Sequence, residues 1–106
     1  MSEPVLLYVT AANRTEAGEI SRALVESGLV ACANIMQPHT AVYRWEGEVK
    51  SDKEVAIIMK TRRELVIHAS ERIKAMHSYD VPCVVAVPIV VGNPEFLQWI
   101  DSETAE

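Results

Sequence analysis

The chain has 106 residues, of which 49% are hydrophobic and 24% charged, with a formal net charge of -5. This length supports one hydrophobic core, so we predict a single domain over residues 1–106. The basic residues are dispersed, with no Lys/Arg run longer than Arg62-Arg63. Most of the surface would therefore repel a phosphate backbone, which argues against nucleic-acid binding.

The N-terminal stretch and the cysteines indicate a cytosolic protein. MSEPVLLYVTAANRTE carries no positive charge before its apolar run. That run is about five residues long, too short for a secretory signal or a membrane span. Cys32 and Cys83 lie far apart in the chain, which is typical of free thiols in a reducing compartment. We therefore expect a cytoplasmic location and no membrane association.

The first elements predicted are a strand and a helix. The run VLLYVT at 5–10 is rich in strand formers. Asn13 is followed three residues later by Glu16, which is the pattern of a capping box. Apolar residues then recur at helical spacing, and the helix should end at Gly28.

A long β-hairpin is predicted next. Residues 29–45 form a strand interrupted near Pro38, and residues 48–60 return after a Glu46-Gly47 turn. Each arm of about 14 residues would span roughly 45 Å, whereas a 100-residue domain has a radius of gyration of about 13 Å. The hairpin should overhang its sheet, with Tyr43 and Trp45 near its tip. We therefore predict that it packs on neighbouring subunits in a closed ring.

The second half of the chain predicts a helix, a strand and a short helix. Residues 61–64, Thr-Arg-Arg-Glu, have the pattern of a second capping box. The apolar run 83–91 predicts a fourth strand, in which Pro88 indicates an edge position or a bulge. Asn93 should cap the last helix. The buried stripe of the second main helix is predicted at Leu65, Ala69, Ile73 and Met76.

The order β-α-β-β-α-β predicts an α+β fold of the ferredoxin-like type. In this architecture both main helices cover one face of a four-stranded antiparallel sheet.

The stretch from Met76 to Cys83 concentrates the candidate chemistry. His77 falls at a helix end, where an imidazole can bond a free carbonyl and a cation is favoured by the helix dipole. The alternative is a metal-ligand or acid–base role for His77 with Tyr79, Asp80 or Cys83. Cys83 opens an apolar strand, so packing as a small hydrophobe competes with metal ligation.

Other chemistry has little support in the sequence. No CxxC, HxH or HExxH pair is present, which argues against a metal site of zinc-finger or protease type within the chain. Neither cysteine has a locally placed base, so we predict that the protein is not an enzyme. Lys60 closes an apolar strand, where it either anchors an anionic ligand or is simply solvated.

Five stretches, in this order, resemble the CutA divalent-cation tolerance family along essentially the whole chain. They are LVACANI at 29–35, YRWEG at 43–47, EVAIIMKT at 54–61, HSYDVP at 77–82 and FLQW at 96–99. The resemblance implies a ferredoxin-like homotrimer with long hairpins packed between subunits. It also implies a link to tolerance of copper and other divalent cations.

The copper ligands proposed for this family are matched only in part. Their positions correspond to Val9 and to Met76-His77, and Ser78 stands where the family usually has proline. Valine cannot ligate, and a methionine thioether suits Cu(I) rather than Cu(II). The resemblance therefore implies weak copper binding near His77, with Met76 as a further candidate ligand. Cys83 is a candidate from its own position in the sequence. A site assembled across a trimer interface would draw on His77, Cys83 or His39.

Two alternatives remain open from the sequence. The first is a trimeric sensor or scaffold resembling the PII signalling proteins, which would bind a small anion or metabolite between subunits and signal to a protein partner. Lys60, Tyr79 and Trp45 are its candidate cleft residues, since such a cleft needs a charge and flat apolar surfaces. The second is an assembly protein whose link to metals is indirect.

Overall fold

The computed structural model describes residues 3–105, which form four strands and three α-helices. In chain order these are β1 (Pro4–Ala11), α1 (Arg14–Glu26), β2 (Cys32–Trp45), β3 (Glu48–Arg62), α2 (Val66–Met76), β4 (Val84–Pro88) and α3 (Pro94–Ser102). A 3-10 turn at Arg63–Leu65 precedes α2.

The four strands form one antiparallel sheet in the order β2-β3-β1-β4. Because side chains alternate between the faces of a strand, Leu7 and Val9 of β1 point to the same face as Ile57 and Met59 of β3. All four are completely buried in a core that includes Ile20 of α1 and other residues of α1 and α2. Both main helices thus cover one face, and the predicted ferredoxin-like fold is confirmed.

The start and end of α1 follow the sequence signals. The Asn13 side chain accepts a hydrogen bond from the Glu16 backbone N–H at 2.9 Å. The Glu16 carboxylate in turn accepts from the Ala12 N–H at 2.9 Å. After the C-cap residue Ser27, Gly28 adopts a φ of 76°, a conformation that glycine reaches without steric cost.

The second predicted capping box is wrong. Thr61 is a buried residue of β3, and its hydroxyl donates to the Leu29 carbonyl at 2.7 Å. Helix α2 begins only at Val66, and neither α2 nor the 3-10 turn has a side-chain cap. The threonine cannot cap a helix because the extended strand places its hydroxyl against the loop before β2.

The hairpin extends beyond the sheet as predicted. Strand β1 pairs with β3 only over the range 55–62, whereas β2 and β3 pair as far as Trp45 and Glu48. The register is irregular between Ile35 and Pro38. At the tip, Glu46 and Gly47 have φ values of 50° and 83°, as the primed hairpin turns require. The described chain is accordingly elongated, measuring 44 × 25 × 23 Å.

Strand β4 is shorter than the predicted 83–91 and ends at Pro88. Within residues 3–105 it pairs only with β1, so the predicted edge position is confirmed for the sheet of the single chain. Val85 pairs with Tyr8 and Val87 with Leu6, which places both valines on the sheet face opposite α1 and α2. There they expose 52% and 49% of their surface.

Candidate functional site

His77 is the residue immediately after α2, and its side chain is completely buried. Ring atom Nδ1 accepts the Tyr79 backbone N–H at 3.0 Å, and Nε2 lies 2.7 Å from the Thr10 carbonyl oxygen. The proton therefore belongs on Nε2, which donates to that carbonyl. The carbonyl partner expected for His77 is present, but it belongs to β1 rather than to α2. Both ring nitrogens are engaged, so neither is free to bind a metal.

Glu16 links the start of α1 to the segment after α2. Its carboxylate accepts the backbone N–H of Ala12 and of Ser78, each at 2.9 Å, and lies 3.7 Å from His77 Nδ1. Burial by itself would raise the pKa of Glu16, but these hydrogen bonds outweigh it and the pKa is lowered. The ionised carboxylate thus holds three chain segments around the histidine.

Tyr79 lies against His77, with ring centroids 4.7 Å apart. Its hydroxyl donates to the Glu54 carboxylate at 3.1 Å. Burial and then the Glu54 carboxylate disfavour a phenolate, raising the pKa of Tyr79 to about 12. Tyr79 is therefore a protonated donor at neutral pH.

A groove of about 730 Å³ opens between the hairpin and the segment after α2, and we call it the hairpin groove. Its charged residues are Glu54, Asp80 and Lys50, so carboxylates outnumber cationic groups. It is lined by Tyr8, Thr10, His39, Ala41, Val42, Tyr43, Trp45, Lys50, Glu54, Ser78, Tyr79, Asp80, Val81 and Cys83.

The structure brings together some of the predicted site residues. Tyr79, Trp45 and Cys83 all line the hairpin groove, as does His39. Met76 instead packs against the core.

Lys60 also lies elsewhere. Its ammonium donates to the Asn34 side chain at 2.8 Å and lies 5.9 Å from the centroid of the Phe96 ring. The cationic side chain in the hairpin groove is therefore Lys50 rather than Lys60, and it lies there with the carboxylates of Glu54 and Asp80.

Metal-ligating groups are sparse within one chain. Among residues 3–105, no three or more His, Cys, Asp or Glu side chains are placed so that they could hold a metal ion together. The pKa of the Cys83 thiol is raised, first by burial and then by the Glu54 carboxylate. Because the thiolate is the ligating form, this environment weakens Cys83 as a ligand.

Sequence reasoning missed Glu54 and gave Glu16 only the role of a helix cap. Glu54 stands 25 positions before Tyr79 and Glu16 stands 62 before Ser78. No local pattern signals either contact.

An antiparallel sheet with two helices on one face defines a ferredoxin-like α+β protein, from which the overhanging hairpin extends to form one wall of the hairpin groove. No helix within residues 3–105 combines the length and the apolar character that crossing a bilayer requires.

Comparisons with known proteins identify the family. The model of the CutA1 divalent ion tolerance protein matches residues 5–103. The divalent-cation tolerance protein CutA of Thermus thermophilus is 43% identical over 98% of this chain and 99% of its own. That of Archaeoglobus fulgidus is 45% identical over 94% of this chain and 96% of its own. The chain belongs to the CutA1 divalent ion tolerance family.

Solved structures agree with this assignment. CutA1 from Oryza sativa superposes with a TM-score of 0.96 at 38% identity, covering 99% of this chain and 96% of that one. CutA1 from Ehrlichia chaffeensis gives 0.92 at 42% identity, covering 100% and 99%. Relatives differ in length, since the chain spans 55% of the chloroplastic CutA of Arabidopsis thaliana.

Proposed function

We propose that this chain is a homotrimeric divalent-cation tolerance protein that binds copper weakly in the hairpin groove, close to His77. The observation that carries the proposal is the lining of that groove. It combines the carboxylates of Glu54 and Asp80 with the Cys83 thiol and the His39 imidazole. Carboxylates attract divalent cations, and thiol and imidazole groups suit copper.

Copper binding should be weak because each candidate ligand near His77 is already held in other contacts or in an unfavourable environment. The His77 ring would have to give up a hydrogen bond in order to ligate. Met76 packs in the core, and the environment of Cys83 keeps its thiol protonated. Donors from a second subunit would be needed for a tight site.

Exposed apolar side chains support the proposal that the chain self-assembles. Val42 and Val49 near the hairpin tip expose 70% and 66%, and Val85 and Val87 are half-exposed on the open sheet face. Exposed apolar patches mark association sites on proteins, and these valines supply exposed apolar surface at two places. The number three comes from the family resemblance rather than from these contacts.

A second candidate function is a trimeric sensor that binds a small metabolite in the same groove. Tyr79 and Trp45 supply flat apolar surfaces there. Lys60 lies outside the groove, and within it the two carboxylates of Glu54 and Asp80 outnumber the one ammonium of Lys50. The favoured ligand therefore carries a positive charge instead of a negative one.

The remaining parts of the proposal concern location and activity. Cys32 and Cys83 are both free thiols, which suits the cytoplasm, although a relative from Archaeoglobus fulgidus is described as periplasmic. We propose a non-enzymatic role because the names of the relatives refer to cation tolerance. We also propose that the chain binds a protein partner, and that it binds neither nucleic acid nor membranes.

The test is a copper titration of the assembled protein against a competing chelator, in both oxidation states. We expect one site per subunit, and about tenfold weaker binding in Cys83→Ser. The control is Cys32→Ser, because Cys32 is outside the hairpin groove, with its sulfur 3.8 Å from the Lys60 ammonium. Equal affinities in the two variants would place copper elsewhere. Binding no tighter than that of the unfolded chain would make tolerance an indirect effect.

A further inference from the structure

Two tyrosines stand close to the Glu54 carboxylate in the hairpin groove. The Tyr79 hydroxyl donates to Glu54 at 3.1 Å, and the Tyr43 hydroxyl donates to Asp52. Asp52 and Glu54 are two positions apart in β3 and so point to the same face. The hydrogen bond to Asp52 raises the pKa of Tyr43, and the nearby Glu54 carboxylate raises it further. We call Tyr43, Tyr79 and Glu54 the aromatic corner of the groove.

The hydroxyls of the aromatic corner are both committed to carboxylates, which leaves the ring faces for an occupant. The face of an aromatic ring carries negative charge and attracts cations. A hydroxyl that donates to an anion is polarised by it, so its ring attracts a cation more strongly. The same two hydrogen bonds orient the rings before anything binds, which lowers the entropic cost of binding.

The cations of the chain itself leave these rings available. Within residues 3–105, the one ammonium or guanidinium placed over a ring is that of Lys60, which lies 5.9 Å from the centroid of Phe96. Both of these residues lie outside the hairpin groove. A cation at the aromatic corner would therefore come from a ligand.

The size and the apolar lining of the groove suit a small organic molecule. Its volume of about 730 Å³ falls within the usual range of small-molecule sites, about 300–1,000 Å³. Trp45 lies two positions beyond Tyr43 on the same face of β2 and is 41% exposed. Ala41 and Val42 add further apolar surface. A bare metal ion would leave most of this surface unused.

The charges of the groove match a ligand with one positive charge. Glu54 and Asp80 supply two carboxylates and Lys50 one ammonium, which leaves the lining with one net negative charge. The raised pKa of Cys83 keeps its thiol neutral. One ammonium group would balance this lining. An anion would be repelled by the carboxylates, and a second cationic group would meet Lys50.

We propose that the hairpin groove binds a small organic amine with one ammonium group on a flat, apolar body. The ammonium donates to Glu54 and lies against the rings of Tyr43 and Tyr79, while the body packs along Trp45. This inference rests on the second candidate function, the sensor of a positively charged metabolite, and names the chemical class of that metabolite.

The experiment titrates the assembled, metal-free protein calorimetrically with phenethylammonium chloride and, in parallel, with 2-phenylethanol. The alcohol has nearly the same shape but no charge. We expect one amine per subunit and at least about tenfold weaker binding of the alcohol. Binding should also change the fluorescence of Trp45. The variant Trp99→Phe isolates this signal, because Trp45 and Trp99 are the two tryptophans of the chain.

Charge variants test where the ammonium lies. Glu54→Gln should weaken amine binding about tenfold and leave the affinity for the alcohol unchanged, whereas Lys50→Gln should strengthen amine binding about threefold. The matched control is Glu71→Gln, which makes the same charge change at an exposed position of α2 and should leave both affinities unchanged. Thermal unfolding checks that each variant is folded.

Three outcomes would overturn the inference: no binding of phenethylammonium, equal losses in Glu54→Gln and Glu71→Gln, or equal affinity for the amine and the alcohol. In the last case the groove would still be a small-molecule site, but one that selects shape and not charge. The copper proposal fails or stands separately, because the chelator titration is made without any amine. Copper binding that depends on Cys83 would stand even if phenethylammonium did not bind.

Discussion

At the scale of single residues, His77 is a structural centre before it is a candidate ligand. Its two ring nitrogens join the Thr10 carbonyl of β1 to the Tyr79 backbone N–H. Glu16 reinforces the same junction by accepting from Ser78. Tyr79, oriented by this junction, then reaches Glu54 at the hairpin groove. The segment after α2 is thereby fixed to the start of α1 and to the hairpin.

We predict that His77→Ala lowers the free energy of unfolding by about 2–4 kcal/mol. The substitution removes two hydrogen bonds, leaves their partners unsatisfied and creates a cavity in a fully buried position. Denaturant unfolding at a fixed protein concentration measures the loss. The control is His68→Ala, on the exposed face of α2, for which a change within about 0.5 kcal/mol is expected. Equal effects at the two histidines would contradict this interpretation.

The raised pKa of Tyr79 predicts a loss of stability at alkaline pH. Between the ordinary value of 10 and its native value of about 12, the folded protein keeps the phenolic proton that the unfolded chain has lost. The unfolded state therefore binds fewer protons, and the free energy of unfolding falls as pH rises through this window. Glu54→Gln should lower the pKa of Tyr79 and so narrow the pH range over which the free energy of unfolding falls.

Phenolate absorbance during a pH titration measures the effect, and Tyr79→Phe assigns the step. Asp52→Asn is the matched control, because Asp52 accepts the hydroxyl of Tyr43 and raises the pKa of that residue instead. A Glu54→Gln titration that superimposes on that of the unsubstituted protein would argue against the Glu54–Tyr79 contact in solution.

At the scale of elements, helix α1 contains Gly18 and is followed by Gly28, and only the second glycine has a conformational role. Gly28 has a φ of 76°, and a Cβ there would lie 3.2 Å from the Ala105 backbone nitrogen. Gly18 lies inside the helix, where a Cβ meets nothing within 4 Å. Replacing glycine by alanine should therefore change the free energy of unfolding in opposite directions at the two positions.

We predict that Gly28→Ala destabilises the protein by about 1–2 kcal/mol, because the left-handed conformation costs a residue with a Cβ about this much. Gly18→Ala should stabilise it by about 0.5–1 kcal/mol through helix propensity. Chemical denaturation of the two variants side by side provides the measurement. A loss of stability in Gly18→Ala would mean that the space beside Gly18 is filled in the assembled protein.

The helix caps differ in whether the local sequence pattern or the tertiary pairing decides the structure. The caps of α1 and α3 form as the sequence predicts, with Asn13 and Asn93 accepting from Glu16 and Glu95. Thr61 carries an equally good local pattern, yet β3 continues through it to Arg62. Pairing of this segment with β1 outweighs a capping preference of about 1 kcal/mol.

At the scale of the whole molecule, the single chain leaves apolar surface on the open sheet face and on the overhanging hairpin. A two-stranded ribbon is marginally stable by itself in water. Packing against further copies would cover both surfaces at once, which is why the proposed function includes assembly.

We predict that light scattering gives a molar mass of about three times the 11.8 kDa of one chain. Val85→Asp, on the open sheet face, should reduce the mass to that of a monomer, because the interface between copies would then bury a carboxylate without a partner. Ile67→Asp is the control, since Ile67 is 72% exposed on α2. The melting temperature of the unsubstituted protein should also rise with concentration. A monomer at micromolar concentration, or unchanged mass in both variants, would refute the assembly.

The sequence by itself determined the order of the elements, the ends of α1, the turn at Glu46-Gly47 and the overhang of the hairpin. These features depend on residues close together in the chain: hydrophobic periodicity, a capping side chain, a glycine that accepts positive φ, and strand length.

Only the tertiary structure decided what the candidate site residues do. The bond from His77 to Thr10 spans 67 positions and that from Tyr79 to Glu54 spans 25. Lys60 binds Asn34, 26 positions away, and so lies outside the hairpin groove. Such contacts arise from the packing of distant strands and helices, and a local pattern of residue types cannot encode which pairs will meet.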